Sequence, residues 1–109
     1  MIVFTLTLSL PAAKRAELIR AISAHLGPTH VQPGCIRCYL SQDLREPGRV
    51  FLVEEWESQG SLDASLRSDH FRGVLAAIEE SHEPPRIQFD TIATRSGIEV
   101  VAAALGRSI

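Results

Sequence analysis

The 109-residue sequence has two cysteines, one tryptophan, one tyrosine and no asparagine, and several chemistries fall with those shortages. A zinc site needs its ligands in sets, and neither a second cysteine pair nor an H-x-x-x-H spacing accompanies Cys35 and Cys38. The eleven basic residues are scattered without a run. With a formal net charge of -2 and a pI near 6.0 they give no electrostatic case for nucleic acid or an anionic membrane surface. No apolar run approaches the roughly 20 residues that span a bilayer. The opening MIVFTLTLSLPAA lacks the positive start of a secretory signal and alternates Thr and Ser with apolar residues. It reads as a strand of the mature domain, and the expected location is the cytoplasm. There are no repeats, no linker and no low-complexity tract.

What is present describes one globular domain. A chain this short buries only about two-thirds of its unfolded surface, so a partner chain would add burial. The spacing Cys35-x-x-Cys38 serves redox chemistry at a helix N-terminus, where a turn brings the sulfurs together. Here Gly34 ends a turn and Cys35 to Ser41 read as a strand. Strand residues three apart sit on opposite faces about 10 Å apart, beyond the roughly 7 Å reach of a disulfide. The pair reads as two small buried or half-buried residues rather than as a redox or metal site.

In chain order, Ile2, Phe4, Leu6, Leu8 and Leu10 alternate with Val3, Thr5, Thr7 and Ser9 as a first strand. Pro11 suits the first turn of a helix capped with help from Ser9; Leu18, Ile19, Ile22 and Leu26 make its apolar stripe, and Gly27-Pro28 stops it. Thr29 to Gln32 adds one further turn before a second strand, Cys35 to Gln42, and Glu46-Pro47-Gly48 turns the chain into a third, Val50 to Trp56. Ser58 to Ser61 offers N-cap chemistry for a short helix ending at Arg67. Asp69 to Ser81 follows as a longer helix with Phe71, Val74, Leu75 and Ile78 on its apolar side, and Pro84-Pro85 ends the helical region. Ile87, Phe89, Thr91 and Ala93 alternate as a fourth strand. The order β-α-β-β-α-β is the split pattern of the ferredoxin-like α+β fold, with helices on one face of a four-stranded antiparallel sheet. Apolar residues on both phases of the third strand ask for cover on the second face as well, and a partner sheet is the simplest cover. The segment after Gly97, IEVVAAALG, has no counterpart in that pattern; it extends the last strand or forms a short helix, packed on the domain or on a dimer partner.

The run FLVEEWESQGSLDASLRSDHF, with PGCIRCYL a hairpin upstream, resembles the antibiotic biosynthesis monooxygenase (ABM) family. That family's pattern is a Pro-Gly-Cys strand entry, a Glu-x-Trp strand end, a Leu-x-x-His-Leu helix and a His-Phe pair. The resemblance covers residues 1–94 as an ABM-like domain and leaves 95–109 as a C-terminal extension. It implies a homodimer whose two sheets close into an α+β barrel. It also implies a monooxygenase that oxidises a small aromatic, quinol or polyketide-type substrate with O2 and with no flavin, metal or haem cofactor. Such chemistry needs an apolar pocket that excludes water and one or two groups that take a phenolic proton. The chain departs from the pattern in places. Ser65 stands where the family helix has its pocket histidine, and Cys38 stands where a tyrosine is frequent; Tyr39, one residue on, turns its phenol to the other face. The haem-degrading branch is marked by an Asn, Trp and His trio, which this chain lacks.

Under that resemblance the pocket lies between sheet and helices, bounded by Trp56 and by the substrate-binding residues Leu62, Leu66 and Phe71; by pattern alone the same residues are core. The expected catalytic residues are His70 and Trp56. His70 lies at the edge of the apolar stripe and its ordinary pKa permits proton exchange near neutrality, against the plain alternative of a half-exposed surface histidine. Trp56 is either a flat wall for an aromatic ligand or a core or interface residue. His25 and His82 lie near the core-facing sides of their helices, but each is late in its helix, where the dipole also favours histidine, and His30 falls in a loop. Glu54 and Glu55 close the third strand on opposite faces, one of them paired with an arginine such as Arg37. The alternative to an enzyme is a non-catalytic dimer of the same fold that binds a hydrophobic metabolite or supports another protein.

Overall fold

The computed structural model describes every residue from Met1 to Ile109. The alternating N-terminal run forms β1, Ile2–Ser9, with its even residues buried and its odd residues half-buried. It is followed by α1 (Arg15–His30), β2 (Cys35–Gln42), β3 (Arg49–Trp56) and α2 (Gln59–Leu66). A 3-10 turn at Asp69–Phe71 then runs into α3 (Arg72–Glu79), and β4 (Arg86–Thr91) completes the sheet. The strands form one antiparallel sheet in the order β2-β3-β1-β4, the ferredoxin-like α+β arrangement. Leu18 and Ile22 of α1 and Val74 and Ala77 of α3 join the even residues of β1 and Val50, Leu52 and Trp56 of β3 in one core. The opposite sheet face carries half-buried Val3, Phe51 and Val53 among Thr5, Thr7 and Tyr39, and no helix of the chain covers it.

Three local features depart from the pattern reading. The residues from Pro11 form a turn, closed by the Lys14 N–H on the Pro11 carbonyl at 3.0 Å, and α1 starts only at Arg15. At its other end α1 runs straight through Gly27-Pro28 to His30, which is its last residue rather than part of a loop. Pro28 removes one donor, the one that would have met the Ala24 carbonyl, and both residues lie on the solvent side where water replaces it. Thr29 points inward and its hydroxyl donates to the His25 carbonyl at 2.6 Å, holding the last turn closed. The third departure is a register shift in β2: Cys35 pairs with Trp56 and Arg37 with Glu55, so Ile36 is an extra bulged residue. The bulge turns Cys35 and Cys38 to the same, core-facing side. Both thiols are nonetheless free, Cys38 buried and Cys35 half-buried.

The joint between β2 and α2 depends on one glycine. Gly34 has φ +89°, and a β-carbon there would land on the Ser61 side chain. Ser61 is fixed in turn, because its N–H donates to the Ser58 hydroxyl as the N-cap of α2 at 3.2 Å. Gly34→Ala is expected to lower the unfolding free energy by about 1–3 kcal/mol, read from urea denaturation. An unchanged midpoint would mean that the β2 entry bends at no cost.

Ser68 does not cap the following turn; its hydroxyl donates to the Ser65 carbonyl at 2.6 Å. The C-terminal segment forms a helix, α4 (Ile98–Leu105), rather than a strand extension, and none of its residues is buried. No helix of the chain is long and apolar enough to cross a membrane.

Candidate active site

Two periodicities converge on one spot. In β3, residues 50, 52, 54 and 56 share the core-facing phase, so the glutamate and tryptophan at its end enter the core together. In α1, Leu18, Ile22, His25 and Thr29 follow one another at helical spacing and are all buried. The apolar stripe thus ends in a histidine and a threonine that meet the end of β3. The Trp56 indole N–H donates to Glu54 Oε1 at 3.0 Å, and Glu54 Oε2 lies 2.7 Å from His25 Nε2. On its far side His25 Nδ1 lies 2.8 Å from Nδ1 of His70, in the 3-10 turn before α3. Trp56, Glu54 and His25 are fully buried; His70 is half-buried.

The hydrogen positions follow from what each group can do. Trp56 only donates, so Oε1 accepts. With Glu54 as carboxylate, Oε2 also accepts, which places the His25 proton on Nε2 and leaves its Nδ1 as an acceptor. His70 must then donate from Nδ1. Its Nε2 keeps a free lone pair and makes no hydrogen bond within the chain. A buried carboxylate therefore sets the tautomer of a buried imidazole, which sets that of a half-exposed one poised as a base. Loss of solvent, and next the neighbouring His25, push the His70 pKa below its ordinary 6.5, against the upward pull of Glu54 and Asp69. The neutral ring is thereby favoured. Since the folded pKa lies below the unfolded one, this stabilisation is complete above about pH 6.5 and is lost as pH falls from there through the folded pKa.

The neighbouring thiols are not part of this chemistry. Burial, then Glu54, then Cys35 raise the Cys38 pKa to about 12, so it stays protonated. Ser65, at the family's histidine position, is fully buried and its hydroxyl has no partner in the chain. No three or more of the chain's His, Cys, Asp and Glu side chains are arranged to hold a metal ion. His25 and Glu54 spend their ligand atoms on each other, on Trp56 and on His70.

Of the residues expected at the site, Trp56, Leu62 and Phe71 are buried in the core and Leu66 packs half-buried against it. Phe71 meets the His25 ring edge-on at 5.5 Å and Phe4 at 6.3 Å. These side chains fill the space they would bound. The concavities of the single chain lie elsewhere, one of ≈ 370 Å³ on the opposite sheet face among Thr7, Phe51, Arg49 and Arg86. Glu55 takes the structural role, bonded to Arg37 at 3.4 Å and Arg95 at 2.8 Å. His82 and His30 are exposed and take no part. Sequence reasoning sets His25 near the core-facing side of its helix and Glu54 at the end of β3 but does not join them; the usable signal is that His25 stands three residues after Ile22 and seven after Leu18, on the buried stripe itself.

A family model described as antibiotic biosynthesis monooxygenase matches residues 1–77. None of the curated proteins matches the sequence significantly. Among solved structures, one described as a putative antibiotic biosynthesis monooxygenase from Deinococcus radiodurans is 22% identical, with 90% of this chain and 98% of that one covered at a TM-score of 0.79. Another of the same description from Nitrosomonas europaea is 18% identical over 86% of this chain and 100% of its own, at 0.77. A conserved protein from Methanosarcina mazei Go1 is 27% identical over 82% and 89%, at 0.74.

Proposed function

The chain belongs to the antibiotic biosynthesis monooxygenase family, and from that premise we propose that it oxygenates a small aromatic quinol or polyketide-type substrate with O2, using no cofactor. The observation that carries this reading is the hydrogen-bonded series Trp56, Glu54, His25 and His70. A group that ends in an unprotonated, half-exposed imidazole nitrogen, backed by a buried carboxylate, is a base in waiting.

In this reading His70 Nε2 takes the proton of the substrate's acidic hydroxyl or ring methylene. The resulting imidazolium hands charge inward through Nδ1 to His25, where Glu54 compensates it. The electron-rich carbanion or phenolate then reduces O2 and joins it at carbon; one oxygen atom remains as a carbonyl and the other leaves as water, collecting the proton that His70 held. For an anthrone the balance is one methylene plus one O2 giving one carbonyl and one water. Leu66 and Phe71 form the apolar wall beside His70, with Leu62 and Trp56 behind them, and the substrate enters by parting side chains that close on one another without it. Two chains set with their open sheet faces together cover the face opposite this site, which no helix of the chain covers.

Oxygen uptake with a panel of quinols and anthrones tests the reading. The expected result is turnover above the uncatalysed rate, which His70→Ala lowers about 10²–10⁴-fold while the circular dichroism is unchanged. The rate should rise with pH to a plateau through an apparent pKa below 6.5, the direction in which His70 is shifted. The filled space at Trp56 and the serine at position 65 favour a second reading, a non-catalytic dimer that binds a hydrophobic metabolite. It becomes the better one if no panel member is oxidised faster than in buffer.

A further inference from the structure

The helix α4 is built as a helix yet has nothing to pack on. Gly106 closes it in the left-handed conformation, φ +66°, and the Arg107 N–H returns to the Ala102 carbonyl at 3.0 Å. Ile98, Val101, Ala102 and Leu105 stand at i, i+3, i+4 and i+7 as one apolar stripe with Val100 beside it, and Ile98, Val100, Val101 and Leu105 all remain about half or more exposed. Eight residues are too few to hold a helix in water without a seat, since isolated helices shorter than about 12–15 residues are marginal. The radius of gyration, 16.1 Å, exceeds the roughly 13 Å of a compact chain of this length, in keeping with a segment held away from the body.

A seat of matching character exists on the same chain, on the side that α4 does not reach. Ile87 and Phe89 of β4 pair with Leu6 and Phe4 and so face the helical layer, yet they are 48% and 50% exposed because α1 and α3 leave that edge open. Leu75 of α3 is exposed as well. The connection from β4 to α4 leads the other way. The Ile92 N–H is bonded to the Met1 carbonyl at 2.8 Å, and Arg95 reaches Glu55 at 2.8 Å on the opposite sheet face. For α4 to fold back onto its own Ile87 and Phe89, the part-buried Arg95–Glu55 pair would have to break.

We infer that α4 is an exchanged arm, docking its apolar stripe on the exposed Ile87 and Phe89 of β4 in a second copy of this chain, which returns the same contact. This rests on the two-chain arrangement proposed above and adds the element that locks it. The test uses the full chain and reads mass, so it is independent of turnover. Oxidation of a mixture of Phe89→Cys chains with longer, tagged Val101→Cys chains is expected to give a disulfide between chains of different size. Cys35 is only half-buried, so both chains also carry Cys35→Ser, while Cys38 is buried with its thiol pushed up to about 12. Val101→Asp is expected to weaken the dimer at least tenfold in sedimentation, with unchanged circular dichroism because α4 buries nothing on its own domain. A tight dimer that ignores Val101→Asp and gives no mixed disulfide overturns the arm alone. A parent chain that is monomeric at micromolar concentration overturns the two-chain arrangement with it, and a disulfide within one doubly substituted chain at nanomolar concentration shows that the helix folds back instead.

Discussion

Glu54→Gln is expected to abolish most of the turnover with almost no change of shape, by reversing two tautomers. The indole of Trp56 can only donate, so the amide must turn its oxygen to Trp56 and its NH2 to His25. His25 Nε2 then has to accept, and its proton moves to Nδ1. Across the 2.8 Å contact His70 Nδ1 must now accept as well, which places the His70 proton on Nε2, the nitrogen that serves as base. A loss of about 10²–10⁴-fold in kcat follows, the usual contribution of a positioned general base. KM should move little, because no apolar contact is lost. Nitrogen chemical shifts report the reversal without any substrate: His70 Nε2 changes from the unprotonated to the protonated type. If the variant keeps the parent's shifts and kcat, Glu54 does not govern the base.

The same reasoning explains why a carboxylate sits in the core of so small a domain. Buried alone it would be strongly disfavoured, but two donors meet its two oxygens and one of them is itself fixed by a further partner. Thr29 spends its hydroxyl proton on the His25 carbonyl, so toward the ring it can only accept, and of the two nitrogens at 3.1 and 3.3 Å only Nε2–H can share its proton with it. Structural demand and proton transfer point to the same four side chains, and pH alone does not separate them, since protonating His70 lowers stability and removes the base over the same range below about pH 6.5.

The sheet and its two covering helices are legible in the sequence because period two and period 3.6 are each sustained over many residues. The even residues of β1 from Ile2 to Leu8 and the stripe Leu18, Ile22 leave little choice. Tertiary context overrides local signals elsewhere. Gly27-Pro28 reads as a stop, but the inward pull of His25 and Thr29 carries α1 on to His30. The bulge at Ile36 has no signature of its own, since nothing but the register with β3 reveals the extra residue, and it reverses the inferred facing of the cysteines. His70 stands out from its place at the edge of an apolar stripe. His25 and Glu54 do not, because a polar residue on a buried stripe declares itself only when its partner on another element is known.

Trp56→Ala should be the most destabilising substitution in the chain. The side chain is fully buried, and truncating so large an aromatic costs about 3–5 kcal/mol. Against a total of roughly 5–15 kcal/mol for a domain of ordinary stability, much of the fold is then lost at physiological temperature. Trp56→Phe separates the two things the indole does. It keeps most of the packed volume but leaves Glu54 Oε1 without its donor, which should cost about 1–3 kcal/mol through an unpaired buried acceptor. Urea denaturation of both variants gives the ratio. A loss of only a few tenths for the phenylalanine variant would mean that water reaches Glu54 through the space left by the five-membered ring. In that variant a carboxylate that water can reach would not need His25 as its donor, so the tautomer of His70 would no longer be dictated from the core. Glu54→Gln keeps the indole and opens no such space, so its kcat tests the control of the tautomer independently of water.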